Sequence, residues 1–299
     1  KRGYVDIKKR YPSAEETQTK HESALAASAL PTYDRHILNE EQHRAYDFIT
    51  DLLRKNTFAE CLLHGVTGSG KTELYMHLIS ETIANGGDTL LLVPEISLTP
   101  QMTAHFTHRF GNNVAVLHSR LSDGERNLQW NRIKNGEVSV AIGARSAIFA
   151  PFQNLRLIIL DEEHEPSYRS EDAAPRYHAA EIAEAIGRIR NAVVLYGSAT
   201  PRVETFYRVV NHEIYYIPLT KRANHAALPE IILEDLREAR ENGTADFFSA
   251  FGGQLKDALA ENYKNNKQAM LFVHRRGYAK QMLCRNCGGI MKCGKCNIP

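Results

Sequence analysis

The sequence contains no apolar run of the roughly 18 residues that a membrane-crossing helix needs, which excludes that class. It has no internal repeat and no low-complexity tract, so solenoid and fibrous classes are excluded as well. Its first twenty residues are polar and charged and lack the apolar core of a secretory leader. Cysteine is scarce: five residues, four of them crowded between 284 and 296. That distribution excludes a secreted disulfide framework and points to a metal site in a reducing compartment. Cys61 stands alone in an apolar stretch and reads as a small buried hydrophobe. Acidic residues are absent from 265–299, where Lys267, Arg275, Arg276, Lys280, Arg285, Lys292 and Lys295 cluster. The overall charge of +2 hides this local excess, which suits either an anionic partner such as nucleic acid or nearby metal-bound thiolates.

What is present is the composition of an ordinary globular chain, 43% hydrophobic and 24% charged over 299 residues, enough for about two domains. The chain opens on Lys1 rather than Met and stops just after the cysteines, and so reads as part of a longer protein. Residues 1–35 lack periodicity and read as a linker or the remnant of an upstream region. From there to about residue 210, short Val-, Ile- and Leu-rich runs alternate with amphipathic segments. The runs are Ala59–His64, Thr89–Val93, Val114–Leu117, Val138–Ile142, Arg156–Leu160 and Ala192–Tyr196, each predicted as a buried parallel strand. Helices are predicted from Lys71 to Gly86-Gly87, from Thr99-Pro100 to Gly111, and from the capping box at Ser122–Glu125 to near Gly136. This alternation predicts an α/β fold, a parallel sheet with helices on both faces. Residues 211–266 are less regular; Glu230–Arg237 reads as a strand entering a helix and Asp257–Tyr263 as helical. Ala269–Val273 reads as a buried strand that opens a second lobe.

Three motifs carry chemistry. Gly65-Val66-Thr67-Gly68-Ser69-Gly70-Lys71-Thr72 fits the phosphate-loop pattern, with an apolar run before it and a helical segment after it. Glycines let the backbone curl so that its N–H groups face phosphate oxygens, Lys71 reaches the β- and γ-phosphates, and the Thr72 hydroxyl suits Mg²⁺. Asp161-Glu162-Glu163-His164 ends the run Leu157–Leu160; here Asp161 suits Mg²⁺ and Glu162 suits the polarisation of an attacking water. Gly197-Ser198-Ala199-Thr200-Pro201 follows the last strand and offers the small hydroxyls of Ser198 and Thr200 to the acidic turn. The cysteines form a fourth constellation, Cys284-x2-Cys287-x5-Cys293-x2-Cys296, whose spacing is that of a zinc site.

Phosphate loop, Asp-Glu-Glu-His and Ser-Ala-Thr in this order resemble a superfamily-2 helicase. Leu92–Gln101, Gly143–Phe152, Pro175–Ala179 and Phe272–Ala279, the last running into Cys284, sharpen the resemblance to the PriA-type primosomal replication-restart helicases over residues 36–299. The resemblance implies a RecA-like lobe 1 that binds ATP at 36–222. It also implies the start of a second lobe at 223–299, with a zinc-binding module at 267–299. It implies that Gln42 reads adenine and that His164 couples the nucleotide site to the nucleic acid. The segment Tyr168–His178 matches an aromatic and basic loop that senses single-stranded DNA, with Tyr168 and Tyr177 stacking on bases and Arg169 and Arg176 meeting phosphates. Branched forks, single-stranded DNA, other primosome proteins and single-strand-binding protein are the implied partners, and the bacterial cytoplasm the implied location. In that family further cysteine pairs lie downstream and two zinc ions share interleaved ligands, so the four cysteines here either share one ion or form two half-sites. Rival readings are another superfamily-2 translocase, or a zinc-stabilised fork-binding scaffold that uses ATP only as a switch.

Overall fold

Alternate residues of the strands face opposite ways, and both faces are apolar. Cys61, Leu63, Leu91, Ile159 and Leu195 belong to one buried cluster, whereas Leu62, Leu90, Leu92, Leu160 and Val194 belong to another. A sheet with that pattern must be covered on both sides. The computed structural model describes residues 37–170, 176–223, 230–236, 251–272 and 290. Contacts divide the chain into two compact units, Lys1–Ala227 and Leu228–Pro299.

In the first unit, β1 (Ala59–Gly65), β2 (Asp88–Leu92), β3 (Val114–Leu117), β4 (Val140–Gly143), β5 (Leu155–Asp161), β6 (Val193–Ser198) and β7 (Tyr215–Leu219) form one sheet in the order β3-β4-β2-β5-β6-β1-β7. Every neighbouring pair is parallel. This is the RecA-like α/β architecture expected from the sequence. The helices are α1 (Glu40–Lys55), α2 (Lys71–Ala84), α3 (Pro100–Phe110), α4 (Asp123–Lys134), α5 (Ala179–Arg190) and α6 (Val203–Val210). Ile49 of α1, Leu74 of α2 and Phe106 of α3 join the first cluster, while Ile133 of α4 and Ala183 of α5 join the second.

Local chemistry sets the helix ends. α1 starts at a capping box in which Asn39 and Gln42 satisfy each other's backbone N–H, and α4 starts at the same device between Ser122 and Glu125. α3 has the Thr99 side chain as its cap and Pro100 at its first position. α6 has no cap from its own Arg202. Its C-terminal end is pinned instead by Arg208, which donates to the buried Glu60 of β1 at 2.6 Å and 3.1 Å, where the Tyr196 hydroxyl of β6 also donates.

The strand and helix expectations hold with ends shifted by a residue or two; the run at Val138–Ile142 becomes a strand at Val140–Gly143. In the second unit, α7 (Gly253–Lys264) contains the expected helical segment Asp257–Tyr263. Glu234 accepts from the Gln254 N–H there, against a glycine, Gly252, whose missing side chain leaves the room. Ala269–Val273 is a correction. Its described part, 269–272, forms no strand, and Met270 and Phe272 are 98% and 88% exposed. A strand needs a partner for its backbone groups, and the second unit has no other strand among its described residues. Of Glu230–Arg237, residues 230–235 are irregular. Cys284, Cys287, Cys293 and Cys296 lie outside the described residues.

Candidate functional site: a phosphate loop facing an acidic turn

β5, β6 and β1 are neighbours, and their carboxyl ends deliver Asp161, Ser198 and Gly65 to one edge of the sheet. In parallel α/β sheets this is the edge at which ligands bind. Cross-strand register fixes the alignment, with Asp161 opposite Gly197 and His64 opposite Ser198.

The loop after β1 is built mainly of backbone. Gly68 and Gly70 have φ of +77° and +81°, a region in which a side chain is strained. The loop is held by Ser69 N–H donating to Val66 O, Val66 N–H to Leu219 O, and Ala223 N–H to Gly68 O. Gly65 must lack a side chain because a Cβ there would stand 2.5 Å from Ser69 Oγ. Val66, Thr67 and Gly68 are exposed and Thr72 is half-buried on the first turn of α2. Lys71 is buried; its Nζ donates to Gly65 O at 3.0 Å and lies 4.0 Å from Glu162 Oε1. Ser69 Oγ is buried without a hydrogen-bond partner. Such an orphaned polar atom, beside a desolvated ammonium and glycine-only backbone, fits a phosphate ligand.

Gln42 is buried rather than an exposed helix residue, with its Nε2 donating to Ser69 O at 2.8 Å and its Oε1 accepting from Asn39 N–H. It therefore braces the phosphate loop from α1, close against Gly70, where a Cβ would meet Gln42 Nε2 at 2.3 Å and displace that brace.

The acidic turn is built of side chains. Asp161 accepts from the Tyr75 hydroxyl at 2.9 Å on its carboxylate, and from the Tyr168 hydroxyl at 2.7 Å on its main-chain oxygen. Burial first, then the neighbouring Glu162 charge, push the Asp161 carboxyl above its usual range, against the opposing pull of Tyr75 and Lys71. A bound divalent cation would supply the missing positive charge, so the Asp161 carboxylate fits Mg²⁺. Gly197 leaves the space for the Tyr75 hydroxyl: a Cβ there would lie 1.7 Å from it. Glu162 has φ of +47°, a left-handed conformation that costs a non-glycine residue about 1–3 kcal/mol. His164 Nδ1 lies 2.8 Å from Ser198 Oγ and 3.6 Å from Glu162 Oε2. Ser198 thus meets the acidic turn through His164. Thr200 is exposed and contributes only its N–H, which donates to Ser198 Oγ at 3.0 Å.

Tyr168 is a correction. It was expected among the base-stacking residues, but it is 1% exposed, and its ring fills the core beneath the turn while its hydroxyl holds Asp161. Tyr177, half-buried, stays at the surface, with the Arg145 guanidinium 5.8 Å from its ring centroid and Phe149 edge-on at 5.2 Å. The arms of the loop are paired, Ser170 N–H to Tyr177 O and Arg169 to His178. Arg169, Arg176, Tyr177, His178, Glu181 and Arg202 line a cavity of about 500 Å³. The Ala180 N–H donates to His178 Nδ1, and Arg202 Nη1 stands 3.0 Å from Nε2. Burial first, then the Arg202 charge, push the His178 pKa down.

Sequence reasoning missed Tyr75, Arg145, Glu163 and Arg202. For Tyr75 the signal was the spacing from Lys71, one helical turn on the same face. For Glu163 there was none, because both its partners lie on a different segment, at Arg202 and Thr205.

A family model of the DEAD/DEAH box helicases matches residues 40–209, and the chain belongs to that family. The family implies use of a nucleotide and Mg²⁺. Within it, the sequence is similar to replication restart protein PriA of Bacillus subtilis (strain 168), 45% identical over 87% of this chain and 32% of the relative. It is likewise similar to PriA of Haemophilus influenzae, 40% identical over 89% of this chain and 35% of the relative. A solved structure of RecG bound to a three-way DNA junction is 22% identical over 68% of this chain and 25% of its own, with a TM-score of 0.47. The chain spans about a third of the length of the curated relatives it matches. Among the described residues no helix is long and apolar enough to cross a membrane.

Proposed function

We propose that this chain is part of an ATP-dependent DNA helicase of replication restart, with residues 36–222 as its nucleotide-binding lobe and 223–299 as the start of a second lobe. The observation that carries the reading is the approach of Lys71 to Glu162, 4.0 Å apart at the edge where a phosphate loop and an acidic turn meet. Lys71 would give its ammonium to the β- and γ-phosphates in exchange for Gly65 O, and Ser69 Oγ and the loop N–H groups would take further oxygens. Thr72 and Asp161 would hold Mg²⁺, which when bound neutralises phosphate charge. Glu162 would accept the proton of the attacking water, and its left-handed backbone aims its carboxylate toward Lys71. His164 and Ser198 would pass the state of that turn to β6 and the segment after it.

The partner we infer is DNA, single-stranded or forked, met by Arg169, Arg176 and Tyr177; primosome proteins and single-strand-binding protein are proposed from the family likeness, as is a cytoplasmic setting. For Cys284, Cys287, Cys293 and Cys296 we retain zinc on their spacing, since four thiolates complete one tetrahedral site. The test is Lys71→Ala in the complete protein, followed with a fluorescent ATP analogue and a strand-separation assay. Loss of nucleotide binding and of unwinding is expected; unchanged affinity would overturn the phosphate-loop assignment.

A further inference from the structure

The nucleotide edge and the arginine-lined cavity are joined by a single buried carboxylate. Glu163 is 1% exposed, and both of its oxygens are engaged by the start of α6. Oε1 accepts from the Arg202 N–H at 2.8 Å and Oε2 from the Thr205 hydroxyl at 3.1 Å, so a carboxylate from another segment fastens a helix start that Arg202 does not cap with its own side chain. Its own N–H donates to Gly197 O at 3.1 Å. On one side of Glu163 in sequence stands Glu162, in its left-handed conformation. On the other side in space stands Arg202, whose guanidinium reaches His178 in the cavity that Arg176 and Tyr177 also line. α6 is anchored at its far end by Arg208 on Glu60.

We propose that Glu163 is a positioning residue that couples DNA phosphate at Arg176 and Arg202 to the orientation of the Glu162 carboxylate. The idea rests on the helicase reading above. Phosphate drawn to Arg202 shifts the start of α6, Glu163 follows its two hydrogen bonds, and the strained backbone of Glu162 turns with it. Coupling through such a chain is worth about 0.5–2 kcal/mol per residue, or roughly two- to thirty-fold in rate.

The experiment measures ATP hydrolysis by the complete protein without DNA and at saturating single-stranded DNA, together with oligonucleotide affinity and melting temperature. Glu163→Ala should leave the DNA-free rate and DNA affinity within about twofold and cut the stimulated-to-basal ratio about two- to thirty-fold. Glu163→Gln keeps one acceptor oxygen for the Arg202 N–H, and its amide can donate to the Thr205 hydroxyl, so the ratio should be largely rescued. Thr205→Val removes one of the two contacts while leaving the Arg202 N–H on the Glu163 carboxylate; it stands in should Glu163→Ala fail to fold, and it should lower the ratio less. An unchanged ratio in folded Glu163→Ala or, in its stead, Thr205→Val overturns the proposal and spares the helicase reading. A fall in both rates together, with a lowered melting temperature, makes Glu163 a structural fastening only and overturns it too. If the wild-type protein shows no stimulation by DNA, the helicase reading fails and the proposal fails with it.

Discussion

The phosphate loop and the acidic turn face each other but are made in opposite ways. The loop is backbone, glycine-shaped, exposed at its tip and left with an orphaned Ser69 Oγ and a folded-back Lys71. The turn is a set of side chains already fastened: Asp161 by two tyrosines, His164 to Ser198, Glu163 to α6. A surface that binds a variable guest keeps its groups available. A surface that must hold one proton acceptor and one cation ligand in fixed relation commits its groups beforehand, so less reorganisation remains at the moment of reaction.

That contrast is sharpest at Glu162. Glu162→Gln leaves the loop untouched and should preserve nucleotide binding while lowering hydrolysis about 10²-fold or more, as loss of a general base does. Single-turnover hydrolysis beside analogue titration checks it; turnover close to wild type would remove Glu162 from the role. Next in size is Arg176→Ala with Tyr177→Ala, on the cavity side. A stacked base is worth about 1–3 kcal/mol, so DNA-stimulated hydrolysis should need much more DNA while the DNA-free rate stays put. Equal losses with and without DNA would point to damaged folding instead.

The smallest effect is expected at Tyr75→Phe, which removes a single hydroxyl from the fastened side. A hydrogen bond to a charged group contributes about 1.5–3 kcal/mol, part of which a bound cation replaces, so the Mg²⁺ concentration for half-maximal hydrolysis should rise a few-fold with little change at saturation. Titrating Mg²⁺ against both rate and nucleotide affinity reads this, and an unchanged Mg²⁺ dependence would mean that Asp161 needs no such support.

The loop was legible in the sequence because its chemistry is local: glycines and Lys71 stand within eight residues. The central strands were legible because burial on both faces leaves continuous apolar runs such as Leu157–Leu160. β7 was not, since Tyr215-Tyr216-Ile217-Pro218-Leu219 lies at the sheet edge with only Ile217 and Leu219 buried, and Pro218 suits an edge while spoiling the pattern. Ala269–Val273 misled for the converse reason: an apolar run specifies burial only where something stands ready to cover it. The fastenings of the turn were hidden because they join segments distant in sequence, and Tyr168 shows the cost of giving both aromatics of a matched loop the same role.

Gly197 has a consequence for how such a chain can drift. With Tyr75 present, any side chain at 197 would occupy the place of the hydroxyl that holds Asp161. The two positions therefore form one heritable unit: a lineage can keep the tyrosine or enlarge the glycine, but not both. With phenylalanine at position 75 the added carbon would meet the ring, 3.0 Å away, and would be tight rather than excluded.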